Sequence, residues 1–125
     1  MKVGIIGLGR MGEGMSRRMI KEGIEVWGYR RNYKKAEEAF EKGYVSGVTT
    51  TIENLVTQVH HQDTQVGKCP GIFQLVIPAE LVEETLDELL PLLGDGDIII
   101  DHGNSNFKDS RRRAERLSKY GIQYI

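Results

Sequence analysis

"VGIIGLGRMG" (Val3–Gly12) is the stretch that decides the fold. Val3 to Ile6 is a short, β-rich apolar run and reads as a buried strand. Gly7, Gly9 and Gly12 follow as G-x-G-x-x-G. Met11, Met15, Met19 and Ile20 then recur at helical spacing, a stripe expected to pack against a sheet. Gly23 is placed to stop that helix in a left-handed conformation. "IEVWGY" (Ile24–Tyr29) reads as a second strand. A lone glycine triplet is a weak signal, but between a strand and a helix that leads to another strand it marks a phosphate-binding turn.

The same alternation continues to the last residue. "NYKKAEEAFEKG" predicts a helix with Ala36, Ala39 and Phe40 inward and Gly43 as its stop. "TTTIENLVTQV" opens with Thr50 and Glu53 at capping-box spacing, ahead of Ile52, Leu55, Val56 and Val59. "GIFQLVIP" is a strand closed by Pro78, and "AELVEETLDELLPLL" a helix with the stripe Val82, Leu86, Leu89 and Leu90. "GDGD" reads as a turn, "DIIID" as a buried strand, "NFKDSRRRAERLSKYG" as a helix stopped by Gly121, and "IQYI" as a further strand. Strands alternating with helices predict parallel strands joined by right-handed crossovers. The expected fold is α/β: a Rossmann-type doubly wound parallel sheet in three αβα layers, with residues 1–125 as one domain. Only "HHQDTQVGKCPG" (His60–Gly71) is long and polar for a connection.

Bulk properties set outer bounds. With 39% apolar and 28% charged residues the balance is that of an ordinary globular protein. A net charge of −1 gives no global field to draw in nucleic acid or anionic lipid, so an anion site must be local. Cys69 is the single cysteine, which excludes an internal disulfide and fits a reducing compartment. The N-terminal apolar run is too short for a signal peptide or membrane span, so the expected location is the cytoplasm.

The glycines suit an anion. Gly7 permits a tight turn, Gly9 lets the backbone approach a pyrophosphate, and Gly12 lets helix and strand pack closely. The free N–H groups of the helix start and the helix dipole supply the attraction. Gly7, Leu8, Gly9, Arg10, Met11 and Gly12 are therefore candidate cofactor contacts. The second strand then ends in "YRRN" (Tyr29–Asn32). A residue there sits beside the ribose 2′-oxygen of a bound dinucleotide. An acid would bind a 2′-hydroxyl, whereas a guanidinium grips a 2′-phosphate bidentately. The cofactor expected is NADP rather than NAD, with Arg30 the main discriminator and Arg31 and Asn32 supporting it.

"IIIDHGNSNFKDSRRRAE" (Ile98–Glu115) is the more specific piece. Together with the glycine turn and "GYRRN" it resembles the 6-phosphogluconate dehydrogenase family, in order over nearly the whole chain. Related β-hydroxyacid dehydrogenases carry Ser-Thr where this chain has Asn104-Ser105. The resemblance implies oxidative decarboxylation of 6-phosphogluconate, or a similar sugar acid, to ribulose 5-phosphate with NADP reduced. It implies that Asn104 lies between substrate and nicotinamide, that Ser105 faces the substrate, and that Ile77, Pro78 and Ala79 touch the cofactor. It also implies an arginine at position 31 with either cofactor, which leaves position 30 as the informative one. Two residues depart from the pattern. His102 stands where glycine is usual, a change that a positive φ would disfavour. Glu80 stands where glycine is common, beside the expected diphosphate. The family's serine-glycine-glycine loop, lysine base, glutamate acid and dimer-forming helical domain have no counterpart in these 125 residues. The chain is thus expected to hold no catalytic residue, to be inactive alone, and to belong to a homo-oligomeric enzyme. The alternative is a stand-alone NADP(H)-binding regulatory module without chemistry.

Other constellations point to less. His60, His61 and Asp63 lack a third ligand at metal spacing. Asp101 with His102 has no nucleophile in a recognisable elbow. His102 itself is a candidate cofactor or substrate contact, since its loop leaves the strand edge where ligands bind. "DSRRRAERL" mixes acids with arginines and reads as a solvated helix face, or one that meets the helical domain of a larger enzyme.

Overall fold

A computed structural model describes residues 2–61, 70–103 and 106–125. Six strands form one parallel sheet: β1 (Lys2–Ile6), β2 (Glu25–Tyr29), β3 (Gly47–Thr49), β4 (Ile72–Leu75), β5 (Ile98–Asp101) and β6 (Gln123–Tyr124). Their spatial order is β3-β2-β1-β4-β5-β6, with every pair parallel. This is the doubly wound order, and its direction reverses between β1 and β4. The helices are α1 (Arg10–Lys21), α2 (Tyr33–Glu41), α3 (Ile52–His60), α4 (Val82–Leu89) and α5 (Phe107–Ser118), with one 3-10 turn at Ala79–Leu81 before α4.

Alternation along β1 builds the two faces. Ile5 joins Leu8, Val26, Ala36, Ala39 and Val45 under α1 and α2. Ile6 points the other way and joins the larger cluster of Leu55, Val59, Phe73, Leu75, Leu86 and Ile99 under α3 and α4. Successive side chains of a strand face opposite ways, so both faces need apolar residues and the strands read as unbroken apolar runs. Gly23, Gly43 and Gly121 end α1, α2 and α5 with φ of +84°, +76° and +73°. These are the three stops expected from the sequence, and the left-handed conformation is the reason each is glycine.

Several details differ from the sequence reading. β3 was not anticipated: three residues are too few to show a period. The cap of α3 is Thr51, whose side chain accepts from the Asn54 amide at 3.0 Å, rather than Thr50. Phe40 is 47% exposed and Met11 is 60% exposed, so neither belongs to the core face assigned to it. "GDGD" is a turn, but its last residue is structural. Asp97 is buried and accepts from the Gly71 amide at 2.7 Å, the Gly94 amide at 2.8 Å and His60 Nε2 at 3.0 Å. His60 therefore closes α3 rather than opening an irregular segment, with its ring edge-on to Phe73. Residues 62–69 of that segment, and Asn104 and Ser105, lie outside the described residues. Among the described residues no helix is long and apolar enough to cross a membrane.

Candidate functional site

The turn after β1 is built so that backbone, not side chains, faces the strand ends. Gly7 has φ +105°, and a Cβ there would fall 2.1 Å from the Val76 carbonyl oxygen. A Cβ at Gly12 would lie 2.0 Å from the Gly7 carbonyl oxygen. Both glycines are thus demanded by close backbone approach inside the fold. Gly9 is different: a Cβ there meets no described atom within 4 Å. It is the N-cap of α1 and offers no side chain to the first-turn amides. Its carbonyl takes the Glu13 amide at 2.9 Å, which starts the helix. The amides of Arg10, Met11 and Gly12 form the positive end of the α1 dipole.

Leu8 divides its roles. Its side chain is fully buried in the α1–α2 core. Gly28 makes room for it, since a Cβ at 28 would come within 2.6 Å of Leu8 Cδ1. The Leu8 carbonyl accepts from Arg30 at 2.8 Å. That bond lays the Arg30 side chain over the glycine turn. Among the described residues Arg30 has no acidic partner. Arg31 does: its guanidinium donates to Glu84 of α4 at 2.8 Å. Asn32 caps α2 by accepting from the Lys35 amide at 3.4 Å.

A cleft of about 300 Å³ lies at this edge of the sheet, lined by Gly7, Leu8, Gly9, Tyr29, Arg30, Arg31, Ile77, Pro78, Leu81 of the 3-10 turn, and Thr85 and Glu88 of α4. It sits where the strand order reverses, the position at which open α/β sheets bind ligands. A second cleft of about 450 Å³ shares Val76, Ile77 and Pro78 with it and continues past Met11, Ala79, Glu80, His102 and Gly103. The structure thus gathers Gly7, Leu8, Gly9, Met11, Arg30, Arg31, Ile77, Pro78 and Ala79 around one continuous edge. Gly12 is buried behind the turn, and Arg10 and Asn32 are exposed outside both cleft linings.

The β5 end is held by ions that sequence reasoning assigned elsewhere. Asp101 Oδ1 accepts from the Gly103 amide at 2.8 Å, while Oδ2 accepts from the Tyr124 hydroxyl and faces Arg113 at 3.8 Å. Burial, helped by the Asp101 carboxylate, pushes the Tyr124 hydroxyl up to about 12. Arg113 is buried and donates to Glu83 at 2.6 Å. Its hydrogen bond holds the Glu83 carboxyl below the ordinary range, against the effect of burial and with help from Arg112. Arg112 reaches Glu83 at 3.0 Å, and Arg116 reaches Asp87 at 2.7 Å. The arginines of α5 are therefore not a simple solvated face: three of them tie α5 to acids of α4. The clue was available, since Glu83 and Asp87 lie four apart on one helix, as do Arg112 and Arg116.

His102 has no positive φ, so the residue tolerates the conformation adopted here. Its amide donates to the Leu75 carbonyl at 2.9 Å, and its Nε2 lies 2.8 Å from the Gln74 side-chain oxygen. Glu80 is exposed on the wall of the second cleft.

These features find their counterpart among known proteins. The family described as the NAD binding domain of 6-phosphogluconate dehydrogenase matches residues 2–125. The decarboxylating 6-phosphogluconate dehydrogenase of Haemophilus influenzae is 34% identical over 125 residues, covering 98% of this chain and 25% of its own. Decarboxylating 6-phosphogluconate dehydrogenase 2 of Saccharomyces cerevisiae is 37% identical over 129 residues, covering 98% and 24%. The chain spans between 23% and 39% of the length of the first curated relatives it matches. Among solved structures, Plasmodium falciparum 6-phosphogluconate dehydrogenase, studied with its cofactor NADP+ and its substrate 6-phosphogluconate, superposes with a TM-score of 0.82 at 29% identity, over 99% of this chain and 26% of that one. The 3-hydroxyisobutyrate dehydrogenase of Mycobacterium tuberculosis gives 0.77 at 18% identity over 98% of this chain and 38% of its own, a likeness of fold alone. With the match running from the first strand to the last residue, through both the glycine turn and the β5 loop, the chain belongs to the family of the NAD-binding domain of 6-phosphogluconate dehydrogenase.

Proposed function

We propose that this chain binds NADP for an oxidoreductase that decarboxylates 6-phosphogluconate, or a similar sugar acid, to ribulose 5-phosphate. The observation that carries the reading is Arg30: its guanidinium lines the cleft beside Gly9 and has no acidic partner among the described residues. Bonding to the Leu8 carbonyl uses one of its five N–H groups and leaves others for an anion. The Gly7–Gly12 turn would hold the diphosphate on the α1 amides, where an open Gly9 suits close approach. Arg30, with Arg31 and Asn32 beside it, would take the 2′-phosphate. Ile77, Pro78 and Ala79 would wall the nicotinamide side, with Asn104 between nicotinamide and substrate and Ser105 toward the substrate. When bound, NADP supplies the hydride acceptor. Removal of the substrate hydroxyl proton is assigned to no side chain of this chain.

A charge-assisted bond to the 2′-phosphate is worth about 1.5–3 kcal/mol, so NADP should bind roughly 10–100-fold more tightly than NAD. Calorimetric titration with both dinucleotides tests this. Arg30→Asp should weaken NADP binding strongly and NAD binding little. Equal losses for the two would reject the assignment.

A further inference from the structure

The two arginines at the end of β2 are not equivalent. Among the described residues Arg30 is bound only to a carbonyl, whereas Arg31 is already paired with a carboxylate on another element. Glu84 lies on α4 next to Thr85 and one turn before Glu88, both of them cleft-lining. The 2.8 Å pair therefore ties the β2 end, where Arg31 lines the cleft, to α4, which supplies Thr85 and Glu88 to the same lining. Both partners are exposed, at 78% and 54%, so the pair opens readily and is screened by salt.

We propose that Glu84 is a specificity-determining residue: an internal competitor that occupies Arg31 and lowers the chain's preference for a 2′-phosphorylated dinucleotide. The inference rests on the NADP reading above. Two effects act in one direction. The carboxylate holds the guanidinium that a 2′-phosphate needs, and its charge repels that phosphate at short range. A ligand with a 2′-hydroxyl carries no such charge and gains little from a freed Arg31. Glu84→Gln keeps the size and a carbonyl acceptor while removing the charge.

The test is a double-mutant cycle on the 125-residue chain, with NADP and NAD titrated calorimetrically into wild type, Glu84→Gln, Arg31→Ala and the pair. Glu84→Gln should tighten NADP by about two- to fivefold, the range of exposed ion pairs, and leave NAD nearly unchanged. The gain should vanish in the Arg31→Ala background and shrink at high salt. An unchanged NADP affinity, an equal gain for NAD, or a gain that survives without Arg31 would each overturn the inference. A wild-type chain that showed no NADP preference, or one whose preference ignored Arg30→Asp, would instead remove the cofactor reading itself and this inference with it.

Discussion

Gly12 sits so close to Gly7 that a Cβ on it would lie 2.0 Å from the Gly7 carbonyl oxygen, while a Cβ on Gly9, between them, would touch nothing described within 4 Å. The three glycines of the turn therefore separate into two kinds. Gly12→Ala forces backbone apart and should lower stability by about 1–3 kcal/mol in urea unfolding. Gly9→Ala should stay within about 1 kcal/mol of wild type, as expected for a cap substitution. It should nonetheless weaken dinucleotide binding by at least about tenfold, because its methyl would occupy the diphosphate approach. A Gly9→Ala chain that binds as tightly as wild type would refute this account of the turn.

The Tyr124–Asp101–Arg113–Glu83 chain of contacts should shape both ends of the pH–stability curve. Tyr124 has its folded value raised from 10.0 to about 12. The fold thus favours the protonated hydroxyl, and its contribution is complete below pH 10 and lost as pH rises toward 12. Glu83 is lowered from 4.5, so its contribution is present above that value and lost as pH falls below it. Urea midpoints across pH should show Tyr124→Phe flattening the alkaline limb and Glu83→Gln flattening the acid limb. Identical limbs in variant and wild type would show that these contacts do not couple to folding.

Asp97 closes the opposite edge of the sheet. Its carboxylate is the shared acceptor for two backbone amides and for His60. Asp97→Ala would strand a buried donor at Gly71 and half-buried ones at Gly94 and His60, a loss of about 3–5 kcal/mol. Since a small domain has roughly 5–15 kcal/mol in total, that should remove much of the folding free energy. A urea-measured change under 1 kcal/mol would contradict the assignment.

The layered architecture was legible because two periodicities alternate without interruption and because the helix stops are glycines that adopt positive φ. The glycine turn was legible for a related reason: its spacing has meaning only between a strand and a helix. What escaped shares one physical cause. β3 is too short to display a period, and Asp97 looks like any turn acid until Gly71 and His60 are brought to it from 26 and 37 residues away. The arginines of α5 looked solvated because their acids lie on another helix. Met11 and Phe40 carry apolar side chains at helical spacing yet face outward, and no local pattern separates a core position from a cleft or groove wall. Arg31 was read as waiting for a ligand because its partner lies 53 residues away. Periodicity reports a residue's own element well; it is silent about which elements meet.

The division of the interior by the sheet has a practical meaning for anyone altering this protein. Ile5 and Ile6 are consecutive in the chain yet take part in separate assemblies of side chains. The layer beneath α1 and α2 backs the glycine turn; the layer beneath α3 and α4 backs the wall that carries Glu84. Each can be redesigned largely as a unit, and errors made in one reach the other chiefly through the strands of the sheet that divides them.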